Sequence, residues 1–482
     1  MFTQDLKKES GSNAHSDSLC GCVVPGAHKK GALVFFAVYA PKAERVFLVG
    51  SFNLWSDAHP LSHVGAGMWE TCLPLSEIRD GDTYKFKICE EGREIYVTDP
   101  YAVENDGPPH FNSVYRYIPD ELSHTYENED HVGCLGMPVN IYEVRADLMT
   151  GTRGSAHYRD IARETVPYLL QMGFTHICLS GVFESYYDHA HAHGEQAYFA
   201  PHREQGGVEE LREMIHVMHA SGIGVLLDWH VSHIPEDVTG ERFLVDNALY
   251  WLELYGMDGF VIGGDDAVCG EALSRLICEI KKEKTDAYFI ARDADSTAKM
   301  MGADTTVKAC DAYCSRFSTP ENGSDRMRMQ MAARAYLAFL EGRMITYMGC
   351  EIGLCRNDIE EKDIGPRTAE TGGNARFQLF VSDLNSLYLS HESLWQRDRR
   401  VRLLSKNDGG IAVIECASDS DRVLLAVDLS GRGGEIPLPI ADGEGIILDT
   451  SSQRYGQDGR MTDQGLRGGV ATLQAYGAIV LG

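Results

Sequence analysis

Residues 241–266 constrain the fold of this chain more than any other stretch. Apolar side chains at Phe243, Leu244, Ala248, Trp251, Leu252 and Tyr255 recur at helical spacing. Gly256 follows them, and glycine is the residue that most readily ends a helix in a left-handed turn. Gly259-Phe-Val-Ile-Gly263 then reads as a short buried strand. A helix that feeds a buried strand through a tight turn belongs to an α/β protein, with helices covering parallel strands. The same alternation continues on both sides. Pro138–Val144, Phe174–Leu179, Val225–Trp229, Ala287–Ala291 and Arg343–Ile352 read as strands. Ile161–Met172, Val208–Ala220, Met327–Leu340 and Phe377–His391 read as helices. This spacing predicts parallel βα units over residues 138–400, with Thr305–Ser318 left to supply further strands.

The flanks read differently. Leu33–Val38, Arg45–Phe52, Met68–Leu73 and Tyr84–Cys89 are short strand-like runs, which predict a β-sandwich over residues 31–118. Ile411–Glu415, Val423–Val427, Gly445–Leu448 and Gly477–Leu481 predict a second one over 401–482. Residues 1–30 are polar and predict a loosely ordered arm, and 119–137 a linker. Composition bears on partners. A net charge of −27 argues against nucleic acid and anionic membranes. No apolar run reaches the ~18–20 residues of a membrane span, and the N-terminus lacks the apolar core of a signal peptide. Thirteen cysteines without Cys-x-x-Cys spacing predict reduced thiols in a cytoplasmic protein.

The run Phe36-Ala-Val-Tyr-Ala-Pro-Lys-Ala-Glu-Arg-Val-Phe-Leu-Val-Gly-Ser-Phe-Asn-Leu-Trp55 resembles the family 48 carbohydrate-binding module that precedes the barrel of branching and debranching enzymes. The helix and glycine of 241–256 resemble those of the glycogen branching enzymes, in glycoside hydrolase family 13. The resemblance covers about 31–482. It implies a (β/α)8 barrel between two β-sandwiches, shortened because only about 30 residues join Trp229 to Gly259, where the family has a long excursion.

Retaining attack on a glucan needs two carboxylates about 5–5.5 Å apart. The resemblance places them at the C-terminal ends of the barrel strands. In the family the fourth strand ends in an arginine, a spacer and the nucleophilic aspartate; here Val261 and Gly263 stand at those positions. Arg292 stands at the general-acid position of the fifth strand. The His-Asp pair of the seventh strand is absent, since no histidine lies between His233 and His391. Fallback acids are Asp265, Asp266, Asp293 and Glu321, although Asp265 and Asp266 also suit the N-terminus of the next helix. Arg292 calls for an acidic partner, and Asp265 or Asp266 is the expected one.

Other candidates divide by chemistry. Trp55, Trp69 and Tyr84 offer rings that can stack on sugar, and Trp69 and Tyr84 equally suit a sandwich core. Asp228-Trp-His-Val-Ser-His233 resembles a family segment in which Asp228 and His233 take sugar-contact and structural positions; a core ion pair accounts for them as well. The tyrosine that stacks on sugar in the family maps to Glu195. His189, His191 and His193, at spacing two, suit a metal or a solvated loop. The leading expectation is a catalytically degenerate branching-enzyme-like protein without a cofactor, binding α-glucan or another enzyme of glycogen metabolism. The alternatives are an active branching enzyme or glucan hydrolase with relocated acids, and a metal- or small-ligand-binding protein.

Overall fold

A computed structural model describes residues 25–118, 136–146, 158–185, 196–229, 242–262, 270–292, 303–309, 323–354, 375–441, 443–457, 466–467 and 469–482. These residues divide into two compact units.

The first unit is built on the N-terminal strands. Its strands are β1 (Gly26–Lys30), β2 (Leu33–Tyr39), β3 (Arg45–Gly50), β4 (His59–Pro60), β5 (Ser62–Gly65), β6 (Met68–Pro74), β7 (Thr83–Glu90), β8 (Arg93–Val97) and β9 (Ser113–Val114). They form two antiparallel sheets, ordered β1-β2-β6-β5 and β4-β3-β7-β8, with β9 also on β7. Alternate residues of β2, β3 and β7, among them Val34, Phe36, Val46, Leu48, Tyr84 and Phe86, fill the core between the sheets. The expected arm of residues 1–30 therefore needs correction at its end: Gly26–Lys30 is a strand paired to β2. Its alternation is hidden by two lysines and a histidine, so apolar periodicity does not reveal it. The linker residues 119–135 lie outside the described residues.

The second unit holds the barrel and the C-terminal sandwich. From residue 140 the chain runs β10 (Asn140–Arg145), α1 (Tyr158–Met172), β11 (His176–Ser180), β12 (Phe183–Ser185), β13 (Gln196–Pro201), which up to Ala200 is counted with the first unit, α2 (Val208–Ala220), β14 (Gly224–Asp228), α3 (Phe243–Leu254), β15 (Gly259–Ile262), α4 (Gly270–Glu283) and β16 (Tyr288–Ala291). It continues with β17 (Thr305–Ala309), α5 (Gly323–Phe339), β18 (Arg343–Tyr347) and α6 (Ala375–Ser390). The parallel strands β10-β11-β14-β15-β16-β17-β18 close into a barrel. Among the described residues it closes on seven strands. Of the stretch Thr305–Ser318, only Thr305–Ala309 is a described strand, and it pairs with β16 on one side and β18 on the other.

The helix–turn–strand unit at 243–262 forms as its sequence dictates. Gly256 adopts a φ of 73°, which a side chain would disfavour. Gly259 is required by proximity: a Cβ there would lie 2.1 Å from the Tyr288 carbonyl oxygen on β16. Inside the barrel, Val139, Ile141, Cys178, Leu226, Val261, Tyr288, Ile290, Val307 and Ile345 pack as one apolar cluster. The barrel is thus a filled core and not a pore.

The C-terminal sandwich pairs the sheet β19-β20-β21-β26-β23 with the sheet β22-β25-β24. Its strands are β19 (Arg400–Lys406), β20 (Ile411–Ala417), β21 (Arg422–Asp428), β22 (Gly434–Pro437), β23 (Ile446–Asp449), β24 (Leu466–Arg467), β25 (Val470–Leu473) and β26 (Ala478–Leu481). Cys416 on β20 lies 3.2 Å from the Phe339 carbonyl oxygen at the end of α5, which joins this sandwich to the barrel. No helix among the described residues is long and apolar enough to cross a membrane.

Candidate functional site

The C-terminal ends of the barrel strands carry a charged layer on top of the apolar core. Side chains two apart on a strand share a side. Ile141 and Glu143 on β10, Leu226 and Asp228 on β14, and Ile290 with Arg292 just beyond β16 therefore point into the barrel in pairs. The lower member of each pair is apolar and the upper member is charged.

Arg292 holds the three strands together. Its Nη1 and Nη2 donate to the two carboxylate oxygens of Glu143 at 2.8 and 2.9 Å. Nη2 also donates to Asp228 Oδ1 at 2.8 Å, and Nε reaches the same oxygen at 3.3 Å. The backbone N–H of Arg292 donates to the Ile262 carbonyl at 2.7 Å, which fixes the root of the side chain against β15. The guanidinium is 17% exposed, and both carboxylates are buried. Burial works against the charge on Arg292, but the carboxylates of Asp228 and Glu143 outweigh it and hold its pKa above the ordinary value. A guanidinium so held stays protonated near neutral pH and cannot act as a general acid.

These contacts change one expectation. Among the described residues, Arg292 pairs with Glu143 and Asp228; the expected partners Asp265 and Asp266 lie outside the described residues. Asp228 belongs to an ion pair, as one of its two readings had it. Val261 is buried in the barrel core beside Ile290, where its apolar side chain fits. Gly263, Asp293, Glu321, His233, Glu195, His189, His191 and His193 also lie outside the described residues. Among the described residues, no cluster of three His, Cys, Asp or Glu side chains could hold a metal ion.

Glu143 was not singled out by sequence reading. The signal was present: an acid inside an otherwise apolar parallel strand, two residues after Ile141, must face a cation or a ligand.

The N-terminal module presents a second surface. Asn53 pins the turn after β3: Gly50 N–H donates to its Oδ1 at 2.9 Å, and its Nδ2 donates to the Leu48 and Ser56 carbonyls. Leu54 and Trp55 follow with φ values of 55° and 58°, and Trp55 is 39% exposed. Across the outer face of the sheet run Pro60, Phe47, Lys87 and Tyr96, in register on adjacent strands. Lys87 donates to both oxygens of Asp57 and lies 3.0 Å from Glu94. Trp55 and Tyr96 are therefore aromatic side chains open to solvent on this module. Tyr84 is not: it is 1% exposed in the core, with its hydroxyl donating to Asp99 at 2.6 Å, so it offers no face to a sugar. Trp69 packs its ring against the core and donates Nε1–H to the Ala40 carbonyl at 3.0 Å.

Comparison with known proteins agrees with this anatomy. Residues 25–102 match the family model of carbohydrate-binding module 48, the isoamylase N-terminal domain. The chain is 32% identical over 269 residues to a 1,4-alpha-glucan branching enzyme GlgB of Rhodospirillum rubrum, covering 46% of this chain and 36% of that enzyme. It is also 32% identical over 297 residues to the GlgB of Nitrosococcus oceani, covering 52% of this chain and 38% of that enzyme. The matches thus span well under half the length of these relatives. The fold superposes on a pullulanase from Paenibacillus barengoltzii, solved with maltohexaose and alpha-cyclodextrin, with a TM-score of 0.75 and 13% identity over 96% of this chain and 95% of that one. The chain therefore carries a carbohydrate-binding module 48 at residues 25–102, is similar over about half its length to GlgB branching enzymes, and has the fold of a pullulanase.

Proposed function

We propose that this chain is a non-catalytic α-glucan-binding protein of the branching and debranching kind. The observation that carries this reading is the Arg292 ion pair with Glu143 and Asp228. Glycoside cleavage with retention needs two carboxyl groups facing the scissile bond, one able to donate a proton and one free to attack. At the strand ends a guanidinium stands between two carboxylates and donates hydrogen bonds to both, which argues against either carboxylate being free to attack or to donate a proton.

Glucan recognition then rests on the N-terminal module. The pinned turn that exposes Trp55, and the outer row ending in Tyr96, supply rings for the C–H faces of glucose units. The relatives' printed names, branching enzyme and pullulanase with bound malto-oligosaccharides, support α-glucan as the ligand class. Affinity electrophoresis through glycogen tests this part. The purified chain should be retarded relative to a glycogen-free gel, and Trp55→Ala should weaken the retardation by about tenfold in apparent affinity, the effect of losing one stacked ring. Equal mobility with and without glycogen would remove glucan binding from the account.

A further inference from the structure

We propose that β19 is a docking edge for an extended acidic segment of a partner protein, which adds to the sheet as a further strand. β19 ends the five-stranded sheet, and among the described residues no strand pairs with its outer side. Its backbone donors and acceptors on that side form a ready template for strand addition.

The side chains decide what can bind. Registration puts Arg400 opposite Ala417 and Arg402 opposite Glu415, so the two arginines share one side of the strand. Arg422, the next basic residue along that side, is already committed to Glu415 at 2.8 Å and to Glu444. Arg402 comes no nearer to Glu415 than 4.0 Å, and among the described residues neither Arg400 nor Arg402 makes a side-chain hydrogen bond. A hollow of about 440 Å³ opens beside Arg400, Arg402 and Arg422, with Glu415, Asp419 and Asp421 also on its wall. A second, of about 460 Å³, opens at the far end of the strand beside Lys406, Arg432 and Asp408. Between them Leu403 and Leu404 are 62% and 38% exposed. Residues 397–406 thus gather Arg397, Arg399, Arg400, Arg402 and Lys406 against one acid, Asp398, in a chain of net charge −27.

A segment with acids at alternate positions and apolar residues between them matches this edge. Its carboxylates fall on Arg400 and Arg402, where forked hydrogen bonds are available. A second copy of the chain does not match. Antiparallel pairing of two β19 strands about Leu403 sets Arg400 against Lys406 twice, and like charges directly opposite are destabilising. The bulge between Leu403 and Ser405 further opposes a long flat self-pairing.

Fluorescence anisotropy with the full chain tests the proposal. The probes are a fluorescein-labelled peptide of alternating Glu and Val, and an alternating Glu-Pro peptide of equal charge that cannot donate to a strand ladder. Saturable binding of the Glu-Val peptide is expected. It should weaken at least about tenfold in R400E/R402E, which reverses two exposed charges, and by a similar factor for the Glu-Pro peptide. Circular dichroism melts would confirm that the variant is folded. The proposal is overturned if the Glu-Val peptide fails to bind at millimolar concentration, or if charge reversal leaves its affinity unchanged. Equal binding of the two peptides would overturn it too, since charge alone would then account for it. So would a wild-type dimer in sedimentation that R400E/R402E dissolves, because a second copy would then own the edge.

Discussion

A single arginine carries most of the chemical meaning of this barrel. Arg292 donates hydrogen bonds to two buried carboxylates that come from strands far apart in sequence. Its removal in Arg292→Ala leaves Glu143 and Asp228 buried with like charge, and breaking such a buried pair costs roughly 3–5 kcal/mol. Calorimetry should therefore show a clear fall in the melting temperature of the variant. An unchanged melting temperature would show that the ion pair contributes nothing to stability. Glu143→Gln should be milder, because Arg292 keeps Asp228. Restoring acids by Gly263→Asp with Arg292→Glu should give a protein that is inactive and less heat-stable. The pairing itself was not legible beforehand. The arginine was visible as a replacement, but its partners lie 149 and 64 residues away, across the mouth of the closed barrel, and local sequence carries no distance information of that kind.

At the scale of elements, the strands with strong alternation or continuous apolar runs were legible and the others were not. Gly259–Ile262, Tyr288–Ala291 and Gly224–Asp228 lie where their apolar runs put them, since a buried parallel strand has few other ways to be read. β1 escaped because its exposed residues are polar and its buried face short, and β8 because it exposes polar and apolar residues alike and buries none. One element-level prediction concerns the sandwich. Asp99 closes the loop after β8: it accepts from Tyr84 on β7 and from the Tyr101 N–H, while its own N–H donates to Ser113 on β9. Burial pushes its carboxyl up to about 6, against the hydrogen bonds from Tyr84 and Tyr101, which pull it down. A folded pKa above the unfolded value means that the native state holds its proton longer. The contribution of Asp99 to stability is therefore full below about pH 4 and declines as pH rises to about 6, by roughly 3 kcal/mol. Asp99→Asn should flatten the melting temperature of the first unit between those two values. A decline equal to that of the parent would assign the effect to other groups.

At the scale of the molecule, the chain keeps the fold of a pullulanase over 96% of its length while matching only 36% and 38% of the length of the two GlgB enzymes. The architecture was legible because short strand runs mark both flanks, and helices alternating with buried strands mark the barrel between them. The barrel strand ends were legible only as a set of replacements; the geometry adds an ion pair between Arg292 and the carboxylates of Glu143 and Asp228. Glucan binding without turnover is what such a molecule should do. The most direct test incubates the purified chain with amylose and counts both new α-1,6 branch points and new reducing ends against a heat-denatured control. The account predicts neither above the control. Turnover that is abolished by Asp228→Asn or Asp265→Asn would contradict it, because a carboxylate would then be working on substrate.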